Sequence, residues 1–125
     1  MQVTPLYAAI LGFILVALSI RTIRLRGQLK IGVGDDHPVL KRAIRAHSNF
    51  AEYVPLALIL IAFLEAQGYS KLWVHALCIS LICGRSIHAY GISQVQENYR
   101  LRVLGMILTL SVLILGASRI LWSYL

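Results

Sequence analysis

The stretch RAHSNFAEYVPLALIL, from Arg45 to Leu60, joins a polar segment directly to an apolar run long enough to enter a membrane. Arg45, Asn49 and Glu52 lie at its start, where a charged side chain facing lipid would be costly. The membrane spans and the direction in which these polar side chains face must therefore be predicted together.

The composition is that of a membrane protein. The chain has 125 residues, of which 58% are hydrophobic and 14% are charged, and its mean hydropathy is +0.75. Soluble domains contain only about 45–50% apolar residues. The length suits one domain, and we predict it to be all-α, because helices satisfy their own backbone hydrogen bonds in lipid.

Apolar tracts predict four membrane-spanning helices packed as one bundle. The predicted spans cover about residues 4–20, 39–66, 71–92 and 101–125. The segment IGVGDDHP, rich in Gly and Asp, predicts a loop before the second span. Four spans place both termini on one side of the membrane.

The basic residues predict the orientation. Nearly all Lys and Arg lie in or beside the loops that follow the first and third spans, and only Lys71 and Arg119 lie elsewhere. The positive-inside rule therefore places these two loops in the cytosol and both termini on the opposite side. Because the basic residues flank apolar tracts and form no separate soluble patch, the net charge of +7 does not predict nucleic-acid binding.

The two cysteines, Cys78 and Cys83, lie in one apolar helix without a second pair. Their spacing supports neither a disulfide framework nor a metal site.

Four polar residues of the second span share one helix face. Arg42, Arg45, Asn49 and Glu52 fall at i, i+3, i+7 and i+10, which places them within about 80° of arc. Such a stripe faces a bundle interior, a partner subunit or a wet cavity. The simpler alternative is a lattice of ion pairs between subunits, with Arg45 pairing with Glu52, that fixes assembly, although most of these arginines would lack a carboxylate partner.

Cations from the other helices come to the same membrane depth. They are Arg24 and Arg26 at the end of the first span, Arg85 and His88 in the third, and Arg100 and Arg102 at the start of the fourth. Glu52 is the only carboxylate among these helical residues. We therefore predict a site for an anion with more than one carboxylate or phosphate. Considered alone, His88 is more typical of a packed histidine.

Three segments resemble one family, the membrane-associated proteins in eicosanoid and glutathione metabolism (MAPEG). RAHSNFAEYVP resembles its second-helix pattern R-A-x-x-N-x-x-E-Y-x-P, GRSIHAYG resembles its third-helix segment, and RLRVLGM resembles the start of its fourth helix. The resemblance covers essentially the whole chain. It implies a homotrimer of four-helix subunits that binds glutathione between neighbours near the cytosolic face.

The resemblance also implies residue roles. The residues expected to bind glutathione are Arg24 or Arg26, together with Arg45, Asn49, Glu52, Tyr53, Arg85 and His88. In the family, the glutamate and asparagine hold the γ-glutamyl end and the arginines hold the carboxylates. The arginine that stabilises the thiolate corresponds best to Arg102, with Arg100 as the alternative.

The implied activity is that of a membrane glutathione transferase or peroxidase. A thiol with a pKa of about 8.5 is only slightly ionised at pH 7, and a nearby guanidinium favours the reactive thiolate. A lipophilic electrophile would reach it from the bilayer, as in detoxification. The alternatives are a non-catalytic membrane scaffold or binding subunit of the same fold, and a small transporter, for which the paired broken helices are absent.

Two positions depart from the family pattern. Ile92 stands where the family often has a tyrosine, and Tyr90 is about 200° away around the helix. Tyr99 is another candidate to supply a hydroxyl. Ser48 stands where the prostaglandin E synthases place an arginine. These departures favour a general glutathione enzyme over an eicosanoid-specific one.

Overall fold

The computed structural model describes all 125 residues and contains four helices. They are α1 (Thr4–Leu29), α2 (Pro38–Ala66), α3 (Lys71–Ser93) and α4 (Tyr99–Trp122). Each is long and apolar enough to cross a membrane. The chain is therefore an integral, multi-pass membrane protein with an all-α, four-span fold.

The first helix is longer than its predicted span. The predicted membrane span ends at about Ile20, and the helix α1 continues beyond it through the basic cluster to Leu29. Arginine, leucine and glutamine are good helix formers, so leaving the apolar region does not end the helix. It ends at Lys30, whose φ of 55° lies in the left-handed region.

Polar caps fix where the next three helices begin. Pro38 occupies the first turn of α2, and the His37 side chain accepts a hydrogen bond from the Val39 amide. The Ser70 and Asn98 side chains cap α3 and α4 in the same way. The α3–α4 connection, which carries Glu97, is consequently only a few residues long.

The core lies between all four helices, and α2 contacts each of the other three. Its members from α2 and α3 include Phe50, Ile61, Leu77 and Leu81. These side chains repeat at helical spacing and face inward, which leaves α2 with a second, polar face toward one end of the bundle.

Glycines set the close approach of α3 to α4. A Cβ atom on Gly105 would lie 2.6 Å from both the Gly84 carbonyl oxygen and the His88 Cβ. Only a residue without a side chain fits there. This crossing brings Arg85 and His88 of α3 against α4.

At the opposite end of the bundle, a carboxylate of α2 binds backbone amides at the start of α1. Glu65, near the end of α2, accepts hydrogen bonds from the backbone amides of Val3 (2.7 Å) and Thr4 (2.9 Å). Amides in the first turn of a helix have no partner within the helix, so Glu65 satisfies groups that α1 itself cannot. The contact ties the start of α1 to α2.

Candidate functional site

A polar cavity of about 480 Å³ opens at the end of the bundle where the α1–α2 and α3–α4 loops lie. Residues of α2, α3, α4 and the α3–α4 loop form its wall: Pro38, Lys41, Arg42, Arg45, Ser48, Asn49, Glu52, His88, Ile92, Glu97 and Arg102. Its volume lies within the usual range for small-molecule sites, about 300–1,000 Å³.

The wall of the cavity carries more positive than negative charge. Four cationic side chains line it, Lys41, Arg42, Arg45 and Arg102, against two carboxylates, Glu52 and Glu97. Such a site suits a ligand with at least two anionic groups, and the carboxylates leave room for one cationic group.

Two charged residues of the polar stripe on α2, Arg45 and Glu52, form no ion pair within the chain. Arg45 and Glu52 are both exposed, and neither takes part in any of the three ion pairs of the structure. Both side chains are available to a ligand or to a neighbouring subunit.

Glu97 holds two of the cavity's arginines. Its carboxylate forms an ion pair with Arg102 of α4, and it also accepts a hydrogen bond from Arg42 of α2 at 3.2 Å. The Nε of Arg102 is buried and has no hydrogen-bond partner. Arg102 therefore keeps an unused N–H donor although its charge is already matched.

Behind the cavity wall, Arg85 is buried and only 1% exposed. It donates hydrogen bonds to the side-chain oxygens of Asn49 (2.6 Å) and Thr109 (2.9 Å). Its Cζ also lies 5.4 Å from the centre of the Tyr53 ring. Arg85 thus joins α3 to both α2 and α4 and does not line the cavity itself.

The comparison with protein families agrees with this architecture. The MAPEG family model matches residues 4–122, nearly the whole chain. The chain belongs to the MAPEG family. The resemblance carried by the second-helix pattern is thereby confirmed.

Curated relatives of this MAPEG protein are bacterial. The inner membrane protein YecN of Escherichia coli K12 is 36% identical over 122 residues, which cover 97% of this chain and 92% of YecN. YecN of Escherichia coli O6:H1 shows the same identity and coverage. The name of both relatives states a membrane location and no reaction.

The structure brings together half of the site residues predicted from the MAPEG pattern. Arg45, Asn49, Glu52, His88 and Arg102 all line the one cavity. Of the two candidate α4 arginines, only Arg102 lines the cavity, whereas Arg100 is exposed and does not line it.

The other predicted residues lie outside the cavity of the single chain. Tyr53 and Arg85 are behind its wall, and Arg24 is exposed on α1. Arg26 donates to backbone carbonyls of the α1–α2 loop, including that of Gly34 at 3.0 Å. These hydrogen bonds indicate that Arg26 stabilises the α1–α2 loop.

No tyrosine lines the cavity of this MAPEG protein. Ile92 occupies part of the wall, whereas Tyr90 and Tyr99 are 62% and 70% exposed and lie elsewhere. The cavity hydroxyl comes instead from Ser48, which donates to the Ile44 carbonyl oxygen at 2.7 Å.

Sequence reasoning missed Glu97 and Lys41 as cavity residues. Glu97 lies in a loop without periodicity, so no pattern pointed to it. Lys41 immediately precedes the stripe, and its side chain also lies 3.9 Å from Asp35. The chain holds no group of three His, Cys, Asp or Glu side chains placed to bind a metal ion.

Proposed function

We propose that this protein is a membrane glutathione transferase that joins the glutathione thiolate to hydrophobic electrophiles, with hydroperoxide reduction as a related activity of the same site. The observation that carries the proposal is the shared cavity of Arg45, Asn49, Glu52 and Arg102. These are the residues that the MAPEG pattern assigns to glutathione, and they come from two different helices.

The charges of glutathione suit this cavity. The tripeptide has two carboxylates and one ammonium group, and the wall offers several cations and two carboxylates. In the proposed complex Glu52 accepts the ammonium, Asn49 holds the γ-glutamyl end, and the arginines hold the carboxylates. His88 lies at the same wall and contributes a further polar contact.

Arg102 is the proposed thiolate stabiliser. Its guanidinium lines the cavity, where it can lie beside the sulfur of a bound glutathione. Lowering a thiol pKa by two units takes about 2.7 kcal/mol of preferential stabilisation, which is within reach of one guanidinium in a partly desolvated site. The lipophilic substrate then meets the thiolate from the bilayer, and proximity lowers the remaining barrier.

A homotrimer completes the proposed site. Arg45 and Glu52 are exposed in the single chain, and charged side chains at membrane depth need a protein or water-filled surrounding. A neighbouring subunit provides that cover. The exposed Arg24 of the neighbour's α1 is then the cation available to a ligand at the seam, near the cytosolic face.

One contact favours a second candidate, a non-catalytic binding subunit or scaffold. Glu97 already pairs with Arg102, and a neutralised guanidinium stabilises a thiolate less well. In that case the cavity would bind an anionic ligand, or a partner protein, without activating a thiol.

The test uses the full chain purified in detergent. Glutathione binding is measured by calorimetry, the thiolate by its ultraviolet absorbance, and turnover with a chromogenic electrophile. We expect the wild-type protein to bind glutathione and form the thiolate. Arg102→Ala should abolish the thiolate signal, whereas the matched control Arg100→Ala should retain it.

Each other outcome has a defined meaning. Binding without a thiolate or turnover supports the scaffold. Absence of glutathione binding refutes the proposed transferase together with its peroxidase activity. Loss of the thiolate only in Arg100→Ala would assign the stabilising role to Arg100.

A further inference from the structure

Arg85 is a buried cation without a carboxylate partner. It is 1% exposed, and none of the chain's three ion pairs includes it. A buried charge without an opposite charge is destabilising unless hydrogen bonds compensate for its desolvation.

Every hydrogen bond of the Arg85 side chain uses it as a donor. The Nε–H bonds Thr109 Oγ1 at 2.9 Å, and one terminal nitrogen bonds Asn49 Oδ1 at 2.6 Å and the Asn49 carbonyl oxygen at 3.4 Å. The other terminal nitrogen lies 3.3 Å from the Met106 sulfur. Thr109 in turn donates to the Gly105 carbonyl oxygen at 2.8 Å.

The contact with Asn49 determines how that amide is oriented. A guanidinium has five N–H donors and no acceptor, so only the oxygen of the Asn49 amide can face Arg85. The amide NH2 of Asn49 has no hydrogen-bond partner within the chain. Since Asn49 lines the cavity, what it can offer a ligand is a pair of donors.

We propose that Arg85 is a positioning residue that fixes Asn49 as a hydrogen-bond donor toward the cavity and so makes the site selective for an acceptor, such as a carboxylate, at that place. This inference rests on the proposed function for the identity of the ligand, glutathione. It also replaces the expected direct contact between Arg85 and glutathione, because Arg85 lies behind the wall.

The alternative is that Arg85 only braces α3 against α2 and α4. If Arg85 is only a brace, its replacement should lower the stability of the protein and weaken the binding of every ligand. A positioning residue predicts a selective loss, confined to ligands that carry the acceptor and dependent on Asn49.

The test compares two peptides on the full chain in detergent. One is glutathione, and the other is its analogue without the γ-glutamyl α-carboxylate. Discrimination is the ratio of their two dissociation constants, measured for wild type, Asn49→Ala, Arg85→Met, Arg85→Lys and the double variant Asn49→Ala/Arg85→Met. Leu81→Ala is the matched control, since Leu81 is fully buried one turn away on α3 and does not line the cavity.

We expect wild type to favour glutathione by about tenfold or more, the effect of one hydrogen bond to a charged group. Arg85→Met should remove most of that preference, and Arg85→Lys should restore part of it. The double variant should discriminate no worse than Asn49→Ala alone. Leu81→Ala should lower thermal stability and keep the preference.

Three results would overturn the inference: unchanged discrimination in Arg85→Met, a further loss in the double variant, or an equal loss in Leu81→Ala. Failure of wild type to bind glutathione refutes the proposed function instead. The same variants are then titrated with glutarate, a plain dicarboxylate, whose binding should weaken in Arg85→Met only when Asn49 is present. Absence of glutarate binding as well would refute the donor role of Asn49.

Discussion

Glu97 and Arg102 form an ion pair at the cavity wall, between the α3–α4 loop and the first turn of α4. The loop thus places the Glu97 carboxylate beside the guanidinium that stabilises the glutathione thiolate in the proposed mechanism. An incoming anion must share or displace this carboxylate.

We therefore expect Glu97→Gln to tighten glutathione binding. Removing one carboxylate leaves Arg42 and Arg102 without their shared partner. Partly exposed ion pairs contribute about 0.2–1 kcal/mol, which corresponds to an increase in affinity of up to about fivefold. Calorimetry in low salt measures the change.

Asp36→Asn is the control for Glu97→Gln, because it removes the same charge from the other loop at the same end of the bundle and Asp36 does not line the cavity. Equal tightening in both variants would assign the effect to net charge. No tightening in either would show that Glu97 does not compete with the ligand.

The α3–α4 crossing predicts a large cost for Gly105→Ala. The added methyl group would lie 2.6 Å from the Gly84 carbonyl oxygen and the His88 Cβ, so the helices must separate. Overpacking of this kind costs about 1–3 kcal/mol, and thermal unfolding in detergent should show a clearly lower midpoint.

Gly27→Ala provides the comparison for Gly105→Ala, since a Cβ on Gly27 meets no atom within 4 Å. It should leave stability unchanged or raise it slightly, because alanine favours helix. A similar loss in both variants would mean that the crossing is not the cause.

Glu65→Gln should loosen the start of α1. The carboxylate accepts from the Val3 and Thr4 amides, and the amide NH2 of glutamine cannot replace both acceptor oxygens. We expect a loss of about 1–3 kcal/mol and faster hydrogen exchange at these amides. Unchanged exchange at Val3 and Thr4 would contradict the capping role.

Reporter fusions test the proposed sidedness. Alkaline phosphatase joined after Leu125 should be active and green fluorescent protein there should be dark, because both termini are expected outside the cytosol. Fusions after Val95, in the α3–α4 loop, should give the reciprocal pattern. The opposite result at both sites would invert the topology.

The sequence predicted the parts of this protein that follow from periodicity. Four apolar tracts predicted four helices, and the spacing from Arg45 to Glu52 predicted one face, which does line one cavity. The helix α1 extends beyond the predicted first span, because a membrane boundary is not a helix boundary. Leu29 lies beyond the apolar run but still within the helix.

Contacts between distant segments were beyond such reasoning. Arg85 lies three residues before His88 and was therefore expected to face the ligand as well. In the structure it bonds Thr109 of α4 and does not line the cavity, at the crossing where Gly84 and Gly105 bring α3 and α4 close together. Glu97 has no periodic signal because a loop has no regular face. Which of Arg100 and Arg102 lines the cavity likewise could not be predicted, because it depends on where α4 begins, at Tyr99.

The buried guanidinium of Arg85 has a consequence for how the chain enters the bilayer during synthesis. The 18-residue apolar segment of its helix, α3, has the lowest mean hydropathy of the four candidate spans, 1.3, and an arginine in mid-helix opposes insertion by about 2.5–3.5 kcal/mol. Asn49 is translated before Arg85, so α2 can offer its oxygen while α3 leaves the ribosome, whereas Thr109 arrives only with α4. The third helix is thus expected to insert as a hairpin with the second and to settle only when the fourth follows.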